Sequence, residues 1–344
     1  MKQLLNTLYV STEGAWLRLE GETLVVMIEK EKRLQIPLHH LGGIVCIGRV
    51  NLSSFLMARC MEDGRGIVWL SGNGRFLARV EGSVSGNILL RQAQYRTADD
   101  PERTLDLAKA FIAGKLRNSR QVLLRSARDN KSGDEAASLK ASAKTLAINL
   151  RNLEQAESLE SVRGLEGDAA RVYFEQMNPM LKSAMREDFN YTRRTRRPPR
   201  DPLNALFSFL YALLLTDCRS ALETVGLDPQ LGYLHAVRPG RHALALDLME
   251  EFRAVLGDRL ALTLVNRGQI TRKDFDFNPG GSVLLNDAGR KKLLVAYQER
   301  KKEQLTHPVL EQKVEIGLLP LLQARFLARY LRGDTSAYIP YLHK

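Results

Sequence analysis

The chain has 344 residues, which is long enough for two domains and a sizeable core. Its hydrophobic fraction of 44% and charged fraction of 26% are those of an ordinary soluble protein. The formal net charge of +12 favours a polyanionic partner, of which DNA or RNA is the usual one, and leaves open a basic protein whose charge only aids solubility. Lys and Arg outnumber Asp and Glu by 12 to 8 in residues 1–98 and by 39 to 31 in residues 99–344, so we expect a basic surface on both parts.

Cysteine usage and hydropathy exclude several classes of protein. Cys46, Cys60 and Cys218 are scattered and form no CxxC pair, which argues against a zinc module and favours buried thiols in a reducing cytoplasm. No apolar run approaches roughly 18 residues, so no transmembrane helix is expected. The N-terminus lacks the apolar core of a signal peptide. We therefore expect a cytoplasmic protein.

Short segments typical of β-strands dominate the first hundred residues. Gly21-Glu22 lies between two of them like a hairpin turn. Ser53 or Ser54 is suited to cap a helix over residues 55–61. The predicted strands are 8–10, 15–19, 23–27, 33–38, 43–47, 66–70 and 76–80, with a turn over 71–74. Residues 1–98 are therefore predicted to form a compact, mainly β domain.

The spacing of apolar residues changes near Pro101, which is suited to the first turn of a helix. From there onward, apolar residues recur every three or four positions, which indicates helices. The predicted helices are 103–126, 134–158, 166–187, 202–223, 242–256, 259–267, 286–302 and 309–331. The predicted fold class is α+β, with the N-terminal β domain followed by a larger all-helical domain over residues 99–344.

One histidine and two acids stand close together between Gly232 and Arg253. Asp247 and Glu250 are three residues apart in a helix-like run and share one face of it, and His235 shortly precedes them. One imidazole and two carboxylates suit a divalent ion such as Mn²⁺ or Mg²⁺, which serve phosphate chemistry. Taken singly, each residue is more often an ordinary core or surface group. Asp247, however, lies within an apolar run, and a buried acid there needs a partner.

Glu166 is a further acid, predicted at the start of the helix over 166–187. The small residues Gly167, Ala169 and Ala170 around it would let a ligand or another chain approach closely. An isolated glutamate at the start of a helix is more often an acid favoured by the helix dipole. The residues alone therefore do not assign Glu166 a function.

A dense group of arginines, here called the arginine loop, occupies residues 193–200. Its members are Arg193, Arg194, Arg196, Arg197 and Arg200, with no acid between them. Pro198, Pro199 and Pro202 exclude a continuous helix. An extended loop of this kind can follow a phosphate backbone, each guanidinium offering two donors to a phosphate, and a solvated linker is an equally good interpretation.

Other patterns carry less information. Lys115, Arg117, Arg120 and Arg125 lie on one predicted helix, where ordinary surface charge is the favoured interpretation. Neither a complete phosphate-binding loop nor a complete dinucleotide fingerprint occurs, and the HExxH and GxSxG motifs are absent from the sequence.

Four segments occur together in one order and spacing: Glu166-Gly-Asp-Ala-Ala170, Arg196-Arg-Pro-Pro-Arg-Asp-Pro-Leu-Asn-Ala205, Gly232-Tyr-Leu-His235 and Asp247-Leu-Met-Glu250-Glu-Phe-Arg253. In this the chain resembles the CRISPR-associated spacer-acquisition integrases, the larger "Cas one" subunit. Ile36-Pro-Leu38 and Gly74-Arg-Phe-Leu-Ala-Arg79 resemble that family's β domain. The resemblance covers nearly the whole chain and is greatest to subtype I-C.

The resemblance implies an N-terminal β-sandwich and a helical catalytic domain. It also implies a homodimer that packs through the β domain, and two such dimers around a small partner dimer, "Cas two". The complex would insert short foreign double-stranded DNA into a CRISPR array. By the same resemblance, Glu166, His235 and Glu250 match the family's metal ligands, and Asp247 matches a further active-site acid.

The implied chemistry is cleavage and joining of phosphodiester bonds with Mg²⁺ or Mn²⁺, the nucleophile being a 3′-hydroxyl or water. A ligating His235 must be neutral, so acid should weaken metal binding. Two alternatives stay open: a non-catalytic DNA-binding scaffold with the same fold, and, less favoured, an RNA-processing nuclease. Dependence of activity on metal distinguishes the enzyme from the scaffold. A preference for DNA or RNA as substrate distinguishes it from the RNA-processing nuclease.

Overall fold

Two four-stranded sheets and one helix form the N-terminal domain in the computed structural model, which describes residues 6–72, 76–82 and 88–343. In spatial order, the first sheet consists of β1 (Asn6–Val10), β5 (Leu41–Ile47), β7 (Gly66–Leu70) and β8 (Phe76–Val80). The second sheet consists of β4 (Glu31–Pro37), β3 (Thr23–Ile28), β2 (Trp16–Glu20) and β6 (Asn51–Leu52). Helix α1 (Ser54–Glu62) begins after Ser53, whose hydroxyl accepts the backbone N–H of Leu56.

The strands and the helix predicted for this domain are confirmed within a few residues. Gly21 adopts a φ of 58° in the turn between β2 and β3, a conformation that glycine reaches at little cost. The turn predicted over residues 71–74 and the segment that begins at Gly74 lie partly outside the described residues.

The central strands β5 and β7 of the first sheet are buried on both faces. Along β5, Ile44 and Cys46 pack with the second sheet and α1, whereas Val45 and Ile47 pack into the core of the helical domain. This division follows from the alternation of side chains across a strand. The β domain is thus fixed to the helical domain by an apolar sheet face.

Ten helices make up most of the described part of the chain that follows. They are α2 (Ile88–Ala98), α3 (Pro101–Asp129), α4 (Gly133–Glu154), α5 (Leu159–Glu175), α6 (Met177–Met180), α7 (Pro202–Thr224), α8 (Ala243–Glu250), α9 (Arg259–Asn266), α10 (Asp287–Lys302) and α11 (Leu319–Leu331). The long helix α3 packs against α4, α5 and α8. Helix α2 precedes residue 99 but packs on α3 and α11, as part of the helical domain's core.

The predicted α+β class, a β domain followed by a helical domain, is confirmed, and the structure adds short strands to the helical part. Two antiparallel hairpins interrupt the helices: β9 (Phe275–Phe277) with β10 (Val283–Leu285), and β11 (Gln304–Thr306) with β12 (Lys313–Glu315). The helix predicted over 309–331 begins only at Leu319. The reason is His307, whose Nδ1 accepts the backbone N–H groups of Val309 and Leu310 and holds the chain in the turn between β11 and β12.

Two further helix bounds differ from prediction in ways that affect the site. The helix predicted over 166–187 is α5, which starts after its cap Ser158, so Glu166 lies in mid-helix. Its interpretation as a helix N-terminal acid is therefore wrong. The helix predicted over 242–256 ends at Glu250 and is followed by one turn of π-helix over Arg253–Asp258.

Helix α7 is long and apolar enough, by length and composition, to cross a membrane. Within its apolar window 61% of the residues are buried, and they contribute to both cores of the helical domain. The apolar character of α7 is therefore explained by its position at the centre of the helical domain. The three cysteines are buried thiols, as predicted.

Ile47→Ala should weaken the attachment of the β domain to the helices. Its side chain is 2% exposed, and truncating such a residue costs about 2–5 kcal/mol through lost burial and the cavity left behind. The free energy of unfolding in urea measures the loss. Ile148→Ala is the matched control, because Ile148 on α4 is 40% exposed and should cost much less. Equal losses in the two variants would contradict the two-sided burial of β5.

Candidate active site

The structure brings the four predicted residues into one cluster. Glu166 lies on α5, Asp247 and Glu250 lie on α8, and His235 lies in the loop before α8. His235 Nδ1 is 2.6 Å from Asp247 Oδ1, and His235 Nε2 is 3.9 Å from Glu250 Oε1. Glu166 joins them through a lysine, Lys115 on α3, which contacts both glutamates.

Asp247 orients the histidine. It is fully buried, and its carboxylate accepts the backbone N–H groups of residues 233, 234 and 235 at 2.7–3.0 Å. The fourth contact, to His235 Nδ1, fixes the ring and implies that Nδ1 carries the proton. His235 Nε2 is then left with its lone pair on the side of Glu250. Because the oxygens of Asp247 are already engaged, its position suits orientation of the histidine.

Close packing keeps the histidine loop in place. A Cβ added to Gly232 would lie 2.7 Å from Ala243 and 2.8 Å from Asp247 Oδ2, so only glycine fits there. On the other side, the guanidinium of Arg163 donates to the carbonyl of Leu234 at 2.7 and 3.1 Å. Arg163 thereby ties the loop to α5, one turn before Glu166. The spacing of three residues indicates that Arg163 and Glu166 share one face of the helix. The sequence did not indicate that this face is directed toward the histidine loop.

Glu250 is a buried carboxylate, with a side chain only 3% exposed. Burial alone would raise its pKa, but Arg253, Lys115 and His235 outweigh that effect and lower the pKa of Glu250 to about 2. Arg253 Nη2 lies 3.1 Å from Oε1, and Lys115 Nζ lies 2.8 Å from Oε2. At this distance Lys115 is within reach of a charge-assisted hydrogen bond to Oε2.

The neighbouring Glu251 faces the other way and has a different environment. Its carboxylate accepts from the Tyr341 backbone N–H at 2.7 Å, from Gln323 Nε2 at 3.0 Å and from the Tyr338 hydroxyl. Burial raises the pKa of Glu251 to about 8, since hydrogen bonds but no cation oppose it. Two adjacent glutamates thus differ because only Glu250 has arginine and lysine partners.

Sequence reasoning missed Lys115. Its interpretation as ordinary surface charge is wrong, because the side chain is only 12% exposed and both of its ion-pair partners are acids of the cluster. Arg117 and Arg125 on the same helix are exposed, as expected. The helical period places Lys115 on a different face of α3 from Arg117. It could not show that this face packs against the acids of α5 and α8.

The donor set fits a divalent ion chemically, with two carboxylates and one imidazole nitrogen. As the side chains stand, no three His, Cys, Asp or Glu residues in the described part of the chain are arranged to hold a metal. An ion shared by Glu166 and Glu250 would need the space in which Lys115 contacts them.

A tyrosine ring connects the cluster to the arginine loop. Tyr211 on α7 has the guanidinium carbon of Arg253 5.1 Å from its ring centre and that of Arg194 at 5.4 Å. Its hydroxyl donates to the buried Asp258. Burial raises the pKa of Asp258 to about 6, against the hydrogen bonds of Tyr211 and Tyr173 and the charges of Arg194 and Arg253.

The five arginines of the loop are not equivalent. Arg194 points inward and donates to Asn204 Oδ1 at 2.6 Å, so it is not free to bind a phosphate as placed. Arg200 is exposed and donates to the carbonyl of Gly280 at 3.0 Å. Arg193, Arg196 and Arg197 are exposed. Residues 191–201 are not helical, as the prolines predicted.

Comparison with known protein families gives a match over most of the chain. The family model described as CRISPR associated protein Cas1 matches residues 8–299. The chain is 54% identical over 344 residues to CRISPR-associated endonuclease Cas1 1 of Moorella thermoacetica, with 100% of both chains covered. It is 47% identical over 342 residues to CRISPR-associated endonuclease Cas1 1 of Chlorobaculum tepidum, with 99% of each chain covered.

Solved structures share the fold. A Cas1 protein from Thermotoga maritima superposes with a TM-score of 0.81 at 24% identity, covering 98% of this chain and 100% of that chain. A casposase bound to integration product gives 0.83 at 22% identity, with 97% and 92% covered. A chain of a Cas6-RT-Cas1–Cas2 complex gives 0.83 at 23% identity, with 98% of this chain and 36% of that chain covered.

Gly232→Ala should displace the histidine loop from α8. The added methyl group would overlap Ala243 and Asp247, and the shift would weaken the contact that orients His235. We expect nuclease activity to fall by about tenfold to a hundredfold, the loss typical when a group that orients an active-site histidine is displaced, while the circular dichroism spectrum stays native. Gly164→Ala on α5 is the control, because nothing lies within 4 Å of its added Cβ. Full activity of Gly232→Ala would show that this packing does not set the histidine.

Proposed function

The chain belongs to the Cas1 family of CRISPR-associated proteins, and from that premise we propose that it is a metal-dependent DNA endonuclease and integrase. Its proposed reaction is insertion of short foreign DNA into a CRISPR array by attack of a 3′-hydroxyl on a phosphodiester. The names of its relatives support the endonuclease activity, and the casposase bound to integration product supports strand transfer on this fold.

One observation carries the proposal most directly: the orientation of His235. Asp247 fixes its Nδ1 side, and the other ring nitrogen is directed toward Glu250. Metal-binding histidines commonly have a carboxylate on the second nitrogen, which sets the tautomer and strengthens the ligand. A non-catalytic scaffold would have no need of this arrangement.

Glu166, His235 and Glu250 are the residues that would hold the ion. Mg²⁺ or Mn²⁺ held by these residues would supply Lewis-acid polarisation of a phosphodiester. Glu250 supplies its charge at any physiological pH, because Arg253 and Lys115 keep it ionised despite burial. His235 must be neutral to bind, so acid should weaken metal affinity. Arg253, paired with Glu250, keeps that carboxylate directed at the site.

The proposed substrate is double-stranded DNA, both the incoming fragment and the CRISPR repeat. The net charge of +12 and the exposed arginines of the loop support attraction to its backbone. We further propose a homodimer that assembles through the β domain with a small Cas2 partner dimer. The likeness to a Cas1–Cas2 assembly supports that partner. We also propose that the protein belongs to subtype I-C and acts in the cytoplasm.

Glu166→Gln, His235→Ala and Glu250→Gln should each reduce cleavage and strand joining by at least about a hundredfold, since loss of a ligand removes several kcal/mol of charge stabilisation. The assay is integration into a supercoiled array plasmid with Mn²⁺, with and without the partner. Glu160→Gln, an exposed acid on the same helix as Glu166, is the control.

The same assay tests the scaffold alternative. A scaffold binds DNA equally well in a chelator and never joins strands. Wild-type activity in two of the three ligand variants would show that the metal site is assigned wrongly. Glu250→Gln also leaves Arg253 buried and unpaired, so its fold is checked by thermal melting, and Glu166→Gln is the cleaner variant.

The arginine loop should contact DNA through exposed arginines and not through Arg194. Replacing Arg193, Arg196 and Arg197 together by Ala should reduce the slope of log affinity against log salt by about three, roughly one unit per lost phosphate contact. Arg194→Ala is the contrasting variant. It should lower thermal stability and leave the salt slope unchanged, because Arg194 packs on Tyr211 and binds Asn204. An unchanged slope in the triple variant would make the loop a solvated linker.

A further inference from the structure

Lys115 holds an unusual position for a lysine. It reaches from α3 into the acid cluster, and its side chain is 12% exposed. Its Nζ contacts Glu166 and lies 2.8 Å from Glu250 Oε2. Both of its ion-pair partners are therefore proposed metal ligands, and the ammonium joins two carboxylates that would otherwise repel each other.

Lysine and a divalent ion would compete for these carboxylates. An ion shared by Glu166 and Glu250 needs oxygens that Lys115 contacts, and an ammonium close to a dication is strongly disfavoured. Arg253 does not have to leave, because it pairs with the other oxygen of Glu250 and is held against Tyr211. Lys115 has a flexible four-carbon stem and can move.

The formal charge of the cluster indicates what the lysine would bind after a divalent ion displaces it. Glu166, Asp247 and Glu250 carry three negative charges, and Lys115 and Arg253 carry two positive ones. The cluster therefore has one net negative charge, and a divalent ion would reverse it to one positive charge. A single phosphodiester would restore neutrality. The displaced ammonium would thus remain beside the site at the moment when a phosphate enters it.

We propose that Lys115 is a built-in cation of the metal site: it pairs Glu166 with Glu250 until a divalent ion displaces it, and it then binds the phosphodiester of the DNA. This rests on the proposed function. In the ordinary view of a structural ion pair, Lys115 would only keep the glutamates in position. The two roles predict opposite changes in metal affinity when the lysine is removed.

The first experiment is calorimetric titration of the full-length protein with Mn²⁺ in the absence of DNA. Lys115→Met should bind Mn²⁺ about tenfold more tightly than the wild type, the equivalent of about 1.4 kcal/mol. Mn²⁺ should also raise its melting temperature by more than it raises that of the wild type. Lys109→Met is the matched control: Lys109 lies on α3, and its Nζ donates to the carbonyl of Glu154 on α4. The control should bind as the wild type does.

Unchanged or weaker Mn²⁺ binding by Lys115→Met would overturn the proposal and leave the lysine a structural ion pair. Lys115→Gln, which keeps a hydrogen-bond donor, should also bind more tightly and serves if the methionine variant folds poorly. A wild type that binds no Mn²⁺ would instead remove the proposed metal-dependent function. The two failures are therefore distinguishable.

A second experiment tests the phosphate contact. At saturating Mn²⁺, Lys115→Met should join strands at least about tenfold more slowly in single-turnover assays, although its metal site is full. Lys115→Arg, which retains a cation, should recover part of the rate. A Lys115→Met variant that joins strands at the wild-type rate would remove the phosphate role.

Discussion

The burial of the Glu250 carboxylate is the constraint on which the site depends. Removing an ion from water costs several kcal/mol, and this cost is met only by charges and hydrogen bonds placed in advance. Arg253 and Lys115 supply those charges from two directions. Because the pKa of Glu250 is lowered to about 2 from 4.5, its contribution to stability is present above pH 4.5 and is lost as the pH falls toward 2.

Satisfying that one acid draws several helices together. Lys115 on α3 forms an ion pair with the Glu250 side chain. One turn later on the same helix, Asn118 donates to the carbonyl of Glu251 at 2.7 Å. The same amide group of Asn118 also donates to the carbonyl of Tyr341 at 2.8 Å, which fixes the C-terminal segment to the back of the site. Helix α8 is thereby held by α3 through both the side chain of Glu250 and the backbone carbonyl of Glu251.

Much of the fold was predictable because it depends on local patterns. The β-strands of the first domain alternate or follow glycine turns, and Asp247 and Glu250 are on one helix at a readable spacing. The late start of α11 was not predictable from the sequence. It depends on the His307 imidazole, which accepts the backbone N–H groups of Val309 and Leu310 and holds them in a turn. The start of α5 was placed too late, although Ser158 caps the helix by accepting the backbone N–H of Ser161.

The site could be predicted in part for a similar reason. Residues close in sequence, such as His235 and Asp247, could be grouped from spacing, and family resemblance added Glu166. Lys115 is 51 residues before Glu166, and only the packing of α3 on α5 makes them partners. Arg194 was grouped with four other arginines by composition. Its inward direction depends on Asn204 and Tyr211, which lie on the following helix.

The distribution of positive charge shows how attraction and chemistry are separated in this molecule. Composition suggests a uniform excess, but Lys115, Arg194 and Arg253 are partly buried and are engaged with acids, an amide or an aromatic ring. Exposed arginines of the loop carry charge that DNA can neutralise at a distance. Tyr211 has one inward arginine from each region packed on it, Arg194 from the loop and Arg253 from the acid cluster. Because both arginines pack on the same ring, the arginine loop and the carboxylate of Glu250 are parts of one packed unit.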